Sequence, residues 1–362
     1  MKLKWLTNAF LLLLNSIVLV ILLVINYVSV LSPDSVWSVL APTNILFTAF
    51  VSINLLFVLW WIIHLKWYAI FSVLALLLCY TNISNTFIIW PEKPFPEENK
   101  PIYSVVSYNI HHFKFFPKEK ETKTGNHILD YLVELDADII CLQEFAYSDY
   151  EPFTLSDIKN QLSDYPYNHI EILYKDRHIS KGIATFSKHK ITNKQHISIP
   201  AEYHGAISSD VLLDGKKIRI INFHFESNRL TSKDKDIKRL TDRNKIPSIA
   251  KRLQSKLHTA SRKRGKQADA LMTFATNSNM PTIICGDMND VPSSYTYRTI
   301  TQHYTDNFKQ VGKGFGNTFH ENFYRYRIDY TFTNKQINPL KIKTHPYDIS
   351  DHFPLQLDFQ TP

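Results

Sequence analysis

The chain has 362 residues, a formal net charge of +8 and 44% hydrophobic residues. At roughly 150 residues per domain this length argues for more than one unit. Three cysteines without framework spacing exclude a disulfide scaffold, and a mean hydropathy of −0.18 averages an almost uncharged stretch, residues 1–90, with a remainder of ordinary polar content.

The first ninety residues hold three apolar stretches. Phe10 to Leu31 is broken only by Asn15, Ser16, Asn26, Tyr27 and Ser29; Ile45 to Ile63 has Thr48, Ser52 and Asn54 as its polar members. Both satisfy the roughly 20 apolar residues that cross a bilayer core. Trp67 to Cys79 satisfies it only if the polar patch Thr81 to Thr86 lies near an interface, before Phe87-Ile88-Ile89-Trp90. A cleaved signal peptide is the weaker reading of the first stretch, because the run is long and no small-residue cleavage site follows. Lys2 and Lys4 precede the first helix, residues 32–44 have no Lys or Arg, and Lys66 follows the second helix. Cytoplasmic loops collect Lys and Arg, so the N-terminus and the second loop are expected inside, at a plasma or inner membrane. Three crossings place the rest of the chain on the non-cytoplasmic side. Two would leave it in the cytoplasm, so the third helix decides the compartment. The expected organisation is an anchor at 1–90, a Pro-rich charged linker at 91–101 and a catalytic domain at 102–362.

From Ile102 the apolar runs alternate between strand and helix character. Strands are expected at Tyr103 to Asn109, Ile139 to Gln143, Ile183 to Phe186, Ala206 to Leu213 and Lys217 to Phe223, the last two flanking the turn Asp214-Gly215. Three more are expected at Thr282 to Cys285, Ile328 to Thr333 and Pro354 to Phe359. Helices are expected at Asn126 to Leu135 and Leu155 to Leu162. Interleaved strands and helices with hairpins among them argue for an α/β layered domain with mixed sheets. Cys141 and Cys285 sit inside apolar strands and read as small core residues. Arg229 to Lys266 carries fourteen Lys or Arg against three Asp. Its spaced Ile246, Ile249, Leu253 and Leu257 suit a helix. This basic segment, 229–266, is either a solvated face or a footprint for anionic headgroups or nucleic acid.

Six strand-like runs end in a polar group: Asn109 (VVSYNI), Glu144 (DIICLQE), His224 (IRIINFH), Asp287 with Asn289 (TIICGDMN), Asp329 (YRIDY), and Asp351 with His352 (ISDH). Runs this rich in Val and Ile read as strands buried on both faces, so each polar end is delivered to the rim of a sheet. One such case is ordinary, since buried polar groups also serve structure. Six together look like one site for a hard metal ion and a phosphate.

In this order the motifs SYNI, LQE, NFH, GDMN, RIDY and SDH resemble the endonuclease/exonuclease/phosphatase superfamily, over about residues 102–360. The resemblance implies a four-layer α/β sandwich, two mixed sheets face to face with helices outside, preceded here by three transmembrane helices. It implies Glu144 as principal ligand of Mg2+ or Mn2+, with Asn109 and Asp351 nearby. Asp287 matches a residue that orients or activates water, and Asn289 one that donates to a phosphate oxygen. His352 matches the catalytic histidine, Asp329 its orienting partner, and His224 a second histidine that contacts the phosphate or acts as acid. His111 and His112 follow Asn109 closely enough to reach the rim of such a site. In one place the chain departs from the pattern: several members carry an Arg before the strand starting at Ala206, where this chain has His204-Gly205.

The leading expectation is therefore a membrane-anchored, metal-dependent phosphoester hydrolase. Its partners are the bilayer and a phosphorylated lipid or nucleic-acid substrate. Lipid is ranked above nucleic acid because the tether brings the site to an envelope, and soluble sugar phosphates fit least. A non-catalytic binding protein on the same fold is the alternative of a different class.

Overall fold

Polar side chains inside apolar helices must find partners, and this organises the N-terminal segment. The computed structural model describes residues 2–92, 94–115, 125–150, 153–231, 234, 246–321 and 324–362. They divide into two units: Met1–Phe87 with Asn228–Arg262 and Val291–Arg298, and Ile88–Ser227 with Lys263–Asp290 and Thr299–Pro362. The first unit contains α1 (Lys2–Val28), a 3-10 run (Val36–Leu46), α2 (Phe47–Ile63), α3 (Ala69–Leu78) and α4 (Tyr80–Thr86). Leu22, Ile25, Phe47 and Cys79 form its apolar core. Asn15 ties three helices together: its Nδ2 donates to Ser72 Oγ at 2.8 Å, and its Oδ1 accepts from Trp61 Nε1 at 2.8 Å. Asn82 Nδ2 donates to Asn26 Oδ1 at 2.9 Å. Such interhelical bonds are the usual cohesion of helices with apolar outer faces.

Two helices are long and apolar enough to cross a membrane, Leu6–Val28 and Val36–Ile63. The expected third is a bent pair, α3 and α4, at 69° to each other. The bend falls at Cys79, where the apolar run gives way to the polar patch.

In the second unit, α5 (His127–Leu135) starts where Asn126 caps it, its side chain accepting from the amides of Ile128 and Leu129. α6 (Leu155–Gln161) opens with a reciprocal capping box between Thr154 and Asp157. One sheet runs in the order β13-β14-β1-β2-β4-β3, where β1 is Tyr103–Asn109, β2 Ile139–Ser148, β3 Tyr167–Lys175, β4 Ile179–Ser187, β13 Asn338–Thr344 and β14 Leu355–Gln360. The other runs β5-β6-β7-β8-β12-β9, where β5 is Ile191–Ile197, β6 Gly205–Leu213, β7 Lys216–His224, β8 Thr282–Asp287, β9 Thr305–Asp306 and β12 Asp329–Thr333. A short hairpin, β10 (Phe319–Glu321) with β11 (Tyr324–Tyr326), stands apart.

The period of two along each strand sorts residues between layers. Val105, Ile139, Cys141 and Leu357 of the first sheet meet Val211, Ile218, Ile220, Ile283 and Cys285 of the second. Val106, Tyr108, Ile140 and Leu142 turn the other way, onto Ile128, Leu129 and Leu132 of α5 and Ile158 of α6. Behind the second sheet lies the end of the long helix Ile246–Ala275, where Tyr304 Oη donates to Ala275 O at 3.0 Å and the Arg219 guanidinium sits 5.7 Å from the Phe274 ring centre. Between the sheets Gln143 Nε2 donates to Asn222 Oδ1 at 2.7 Å. This is the layered sandwich that the motifs implied, with mixed sheets.

β7 and β8 are parallel neighbours and come unusually close. Gly286 has φ +154, and a Cβ there would lie 1.9 Å from the Phe223 carbonyl oxygen. Gly286→Ala is expected to destabilise the protein by about 3 kcal/mol, the range for forced backbone displacement in a buried sheet. Thermal denaturation checks this; an unchanged midpoint would mean that the strands can part freely.

Candidate active site

Strand register brings the polar strand ends into one place. In the second sheet His224 pairs with Asp287 across β7 and β8, and Asp287 pairs with Asp329 across β8 and β12. These three residues thus form one row. In the first sheet β1 and β2 are parallel with Asn109 opposite Gln143, so Asn109 and Glu144 leave the same sheet end. Glu144 lies in a bulge: pairing of β2 with β4 skips between Leu142 and Phe145, and Glu144 has φ +52. A bulge re-aims one side chain, here a carboxylate. Asn289 also has a positive φ, +53. Left-handed non-glycine residues cost about 1 kcal/mol or more and concentrate at functional sites.

Asn109 Nδ2 donates to Asp287 Oδ2 at 3.0 Å and to Glu144 Oε1 at 3.3 Å. Asp287 also accepts from the Asn289 amide at 2.8 Å and from Asn289 Nδ2 at 3.2 Å. His224 Nε2 lies 3.6 Å from Asp287 Oδ2 and 3.9 Å from Glu144 Oε1. His352 Nδ1 bonds Asp329 Oδ2 at 2.9 Å, and its Nε2 is 3.8 Å from Asp287 Oδ2. Asp351 Oδ1 meets His111 Nδ1 at 3.0 Å and accepts from Ser350 Oγ at 3.3 Å. All eight residues singled out in the sequence are therefore brought together.

Four residues deserved more weight than the sequence reading gave them. His112 Nδ1 lies 2.9 Å from Glu144 Oε2. The His204 ring packs edge-on against that of His224, centres 4.7 Å apart. Buried Glu226 faces His204 Nδ1 at 3.3 Å and Lys263 Nζ at 3.3 Å. The absence of an Arg at position 204 was the signal for this group: a histidine, a carboxylate and a lysine occupy that region.

The electrostatics separate the two histidines. His224 is pushed down to about 3 by burial and by His204, and is neutral. For His352 burial opposes charge, but Asp329 and Asp287 outweigh it and raise the ring to about 10, so it is an imidazolium. Burial, then Asp329, pushes the Asp287 carboxyl up. Burial also opposes ionisation of Glu144, but His112 and His224 hold it well below the usual carboxylate range.

Which residues fit a metal ion follows from donor chemistry. Asp287, Asp329 and His352 present three ligand atoms within 4.8 Å of one another. There, however, the imidazolium already lies between the two carboxylates, with Nδ1 committed to Asp329. Glu144 and Asp351 are ionised carboxylates at the more open end, with the Asn109 amide beside them. That oxygen set fits a hard divalent ion.

The model of the Endonuclease/Exonuclease/phosphatase family matches residues 106–352. Residues 8–86 match a second family, described as a domain of unknown function, DUF8431. No curated protein matches the chain. Solved structures share the fold. The endonuclease/exonuclease/phosphatase from Beutenbergia cavernae is 15% identical, with a TM-score of 0.52 over 72% of each chain. The human Nocturnin catalytic domain with bound sulfate is 18% identical, with a TM-score of 0.51 over 75% of this chain and 99% of that one. The endonuclease/exonuclease/phosphatase from Bacteroides vulgatus is 15% identical, with a TM-score of 0.52 over 73% of this chain and 100% of that one. The chain belongs to the Endonuclease/Exonuclease/phosphatase family, and is a hydrolase acting on phosphoric ester bonds.

Proposed function

We propose that the protein is a membrane-anchored, divalent-metal-dependent hydrolase of a lipid phosphate or phosphodiester of the cell envelope. The observation that carries the hydrolytic part is the row His224, Asp287, Asp329, with Asn109 linking it to Glu144 and His352 set between two carboxylates. Glu144, Asp351 and Asn109 would hold the ion, Mg2+ or Mn2+, which when bound neutralises phosphate charge and stabilises the leaving oxygen. Asp287 acts as the base that takes a proton from the attacking water. Its raised pKa suits that work, since a base is most effective when its pKa lies near the operating pH. Asn289, fixed on Asp287 and the Phe225 carbonyl, presents its amide to a phosphate oxygen. His352, already charged, donates from Nε2 to the phosphate and does not act as base. His224, uncharged, offers a hydrogen bond without adding a positive charge.

The anchor reading rests on the helices Leu6–Val28 and Val36–Ile63. Contacts inside the first unit support three crossings. The loop between those helices is held by residues from much later in the chain: Arg262 donates to Pro33 O at 3.1 Å and to Asp34 at 3.2 Å, Ser38 Oγ meets His258 Nε2 at 3.1 Å, and Ser293 Oγ donates to Asn44 O at 3.2 Å. For a chain spanning a bilayer, residues 33–44 and 258–293 then share one side. The chain must cross again between Ile63 and Phe87, and the bent pair α3–α4 supplies the segment. With Lys2, Lys4 and Lys66 inside, the catalytic residues face the non-cytoplasmic side.

The basic segment contributes less free charge than its sequence suggests. Residues 232–233 and 235–245 lie outside the described residues. Elsewhere Arg252 and Lys256 pair with Asp234, Arg262 with Asp34, Lys263 with Glu226 and Arg264 with Asp290. The lipid reading therefore leans on the tether more than on this segment.

The test is an assay of the full-length protein in detergent with Mg2+ or Mn2+ against sphingomyelin, polyprenyl pyrophosphate and plasmid DNA, with His352→Ala as control. Metal-dependent lipid turnover, at least about 100-fold weaker in the variant, is the expected result. DNA nicking without lipid turnover, lost in the variant, would replace the lipid reading with a nuclease.

A further inference from the structure

The segment after β1 is the most strained piece of backbone beside the site. His111, His112, Phe113 and Lys114 have φ of +44, +53, +51 and +48 in succession. A left-handed conformation costs an L-residue roughly 1–2 kcal/mol, and only glycine and occasionally Asn or Asp adopt it routinely, as single residues. Four in a row persist only because the surroundings enforce them. Phe113 is fully buried, its ring 5.9 Å from Phe145 and 5.0 Å from Phe153. The Ile110 amide donates to Gln143 O at 3.1 Å, and the His111 amide to Asn109 Oδ1 at 3.1 Å.

What this conformation achieves is the placement of two adjacent imidazoles on two different carboxylates. His111 Nδ1 is 3.0 Å from Asp351 Oδ1, and His112 Nδ1 is 2.9 Å from Glu144 Oε2. The ring centres are 6.4 Å apart. Those carboxylates are the ones whose chemistry fits the divalent ion. Two ligands about 2.1 Å from an octahedral ion and at right angles to each other are about 3.0 Å apart. An imidazole nitrogen and a carboxylate oxygen at the observed spacing can therefore share a cation as readily as a proton.

We propose that His111 and His112 are ligands of the divalent ion, and that they make the site select a nitrogen-accepting transition ion of the Mn2+ class over Mg2+. The inference rests on the metal-dependent reading above and names its ion. Mg2+ keeps oxygen ligands and several waters, whereas imidazole suits first-row transition ions. Two histidines joined to Glu144, Asp351 and Asn109 give a mixed nitrogen and oxygen set. In this chain the strained turn is the device that adds the nitrogens.

The experiment uses the full-length protein in detergent, titrated calorimetrically with Mn2+ and with Mg2+, and pulsed electron paramagnetic resonance of the Mn2+-loaded form. The variants are His111→Asn and His112→Asn, because Asn tolerates the left-handed backbone better than other replacements. The wild-type protein should bind Mn2+ at least about 10-fold more tightly than Mg2+ and show imidazole nitrogen coupling to the Mn2+ spin. Each variant should lose about 10-fold or more of its Mn2+ affinity, with Mg2+ affinity changed far less. Absence of nitrogen coupling in the wild type overturns the proposal whether or not the variants fold. So do variants that bind Mn2+ as tightly or more tightly, since the histidines would then be counter-ions that the metal displaces. A wild-type protein that binds neither ion overturns the metal-dependent reading itself. Mg2+ binding as tight as Mn2+ overturns only the present inference.

Discussion

Glu144→Gln is expected to lower metal-dependent turnover by about 1,000-fold while leaving the fold intact. Gln has the size of Glu and can still accept from Asn109 Nδ2, so the hydrogen bond at 3.3 Å is retained. What it lacks is the negative charge. Glu144 is kept ionised against its own burial by His112 and His224, so the protein invests two imidazole contacts in a charged carboxylate at this position. That arrangement makes sense if the charge is later used to hold a cation. A metal ion and a preorganised electrostatic site each supply several kcal/mol at the transition state, and about 4 kcal/mol corresponds to the expected factor. The measurement is kcat and the metal concentration for half-maximal activity, with the melting temperature recorded in parallel. Wild-type turnover at saturating metal would remove Glu144 from the chemistry. A collapse in melting temperature would show instead that the charge serves structure.

Much of this site was legible because buried strands leave a plain record. A parallel strand covered on both faces reads as an unbroken apolar run, so a Glu or Asp at its end stands out. β1, β2, β7 and β8 are of this kind, and they carry Asn109, Glu144, His224 and Asp287. The strands that escaped the sequence are edge strands or lie near one. β5, ITNKQHI, is largely exposed, and β13 contains Asn, Pro and three polar residues, so neither shows an apolar run. β3 lies at the other edge with intermediate burial. The kink at Cys79 has no Gly or Pro to announce it. The bulge that turns Glu144 into the site, and the left-handed run at His111, arise from register and packing between segments distant in sequence. Such features have no local signature. His204 and Glu226 were hidden for a related reason: each is ordinary alone, and their meaning comes from stacking on His224.

Asp329→Asn is expected to cut kcat by about 100- to 10,000-fold and to move the alkaline limb of the pH profile to lower pH. Asp329 does two things for His352. By accepting from Nδ1 at 2.9 Å it fixes the tautomer and leaves Nε2–H pointing toward Asp287 and the phosphate position. By its charge it holds the ring protonated, to about 10, although burial works the other way. A carboxamide keeps neither property securely, because its NH2 face can also turn toward Nδ1. Loss of the comparable orienting carboxylate in a His–Asp pair costs about 10,000-fold in another hydrolase, which sets the upper figure. The sign of the pH effect follows from linkage. A histidine whose folded pKa is raised contributes stability that is fully present below its unfolded pKa of about 6.5, and that contribution is lost as pH rises through about 10. Without Asp329 the ring loses its proton at lower pH, so both activity and that share of stability fall away earlier. Asp287 remains 3.8 Å from Nε2 and keeps part of the upward shift, which is why the limb moves and does not vanish. Two pH–rate profiles decide the matter. A variant whose kcat falls with an unmoved alkaline limb would make Asp329 a purely geometric partner. An unmoved limb with wild-type kcat would show that His352 needs no carboxylate at Nδ1.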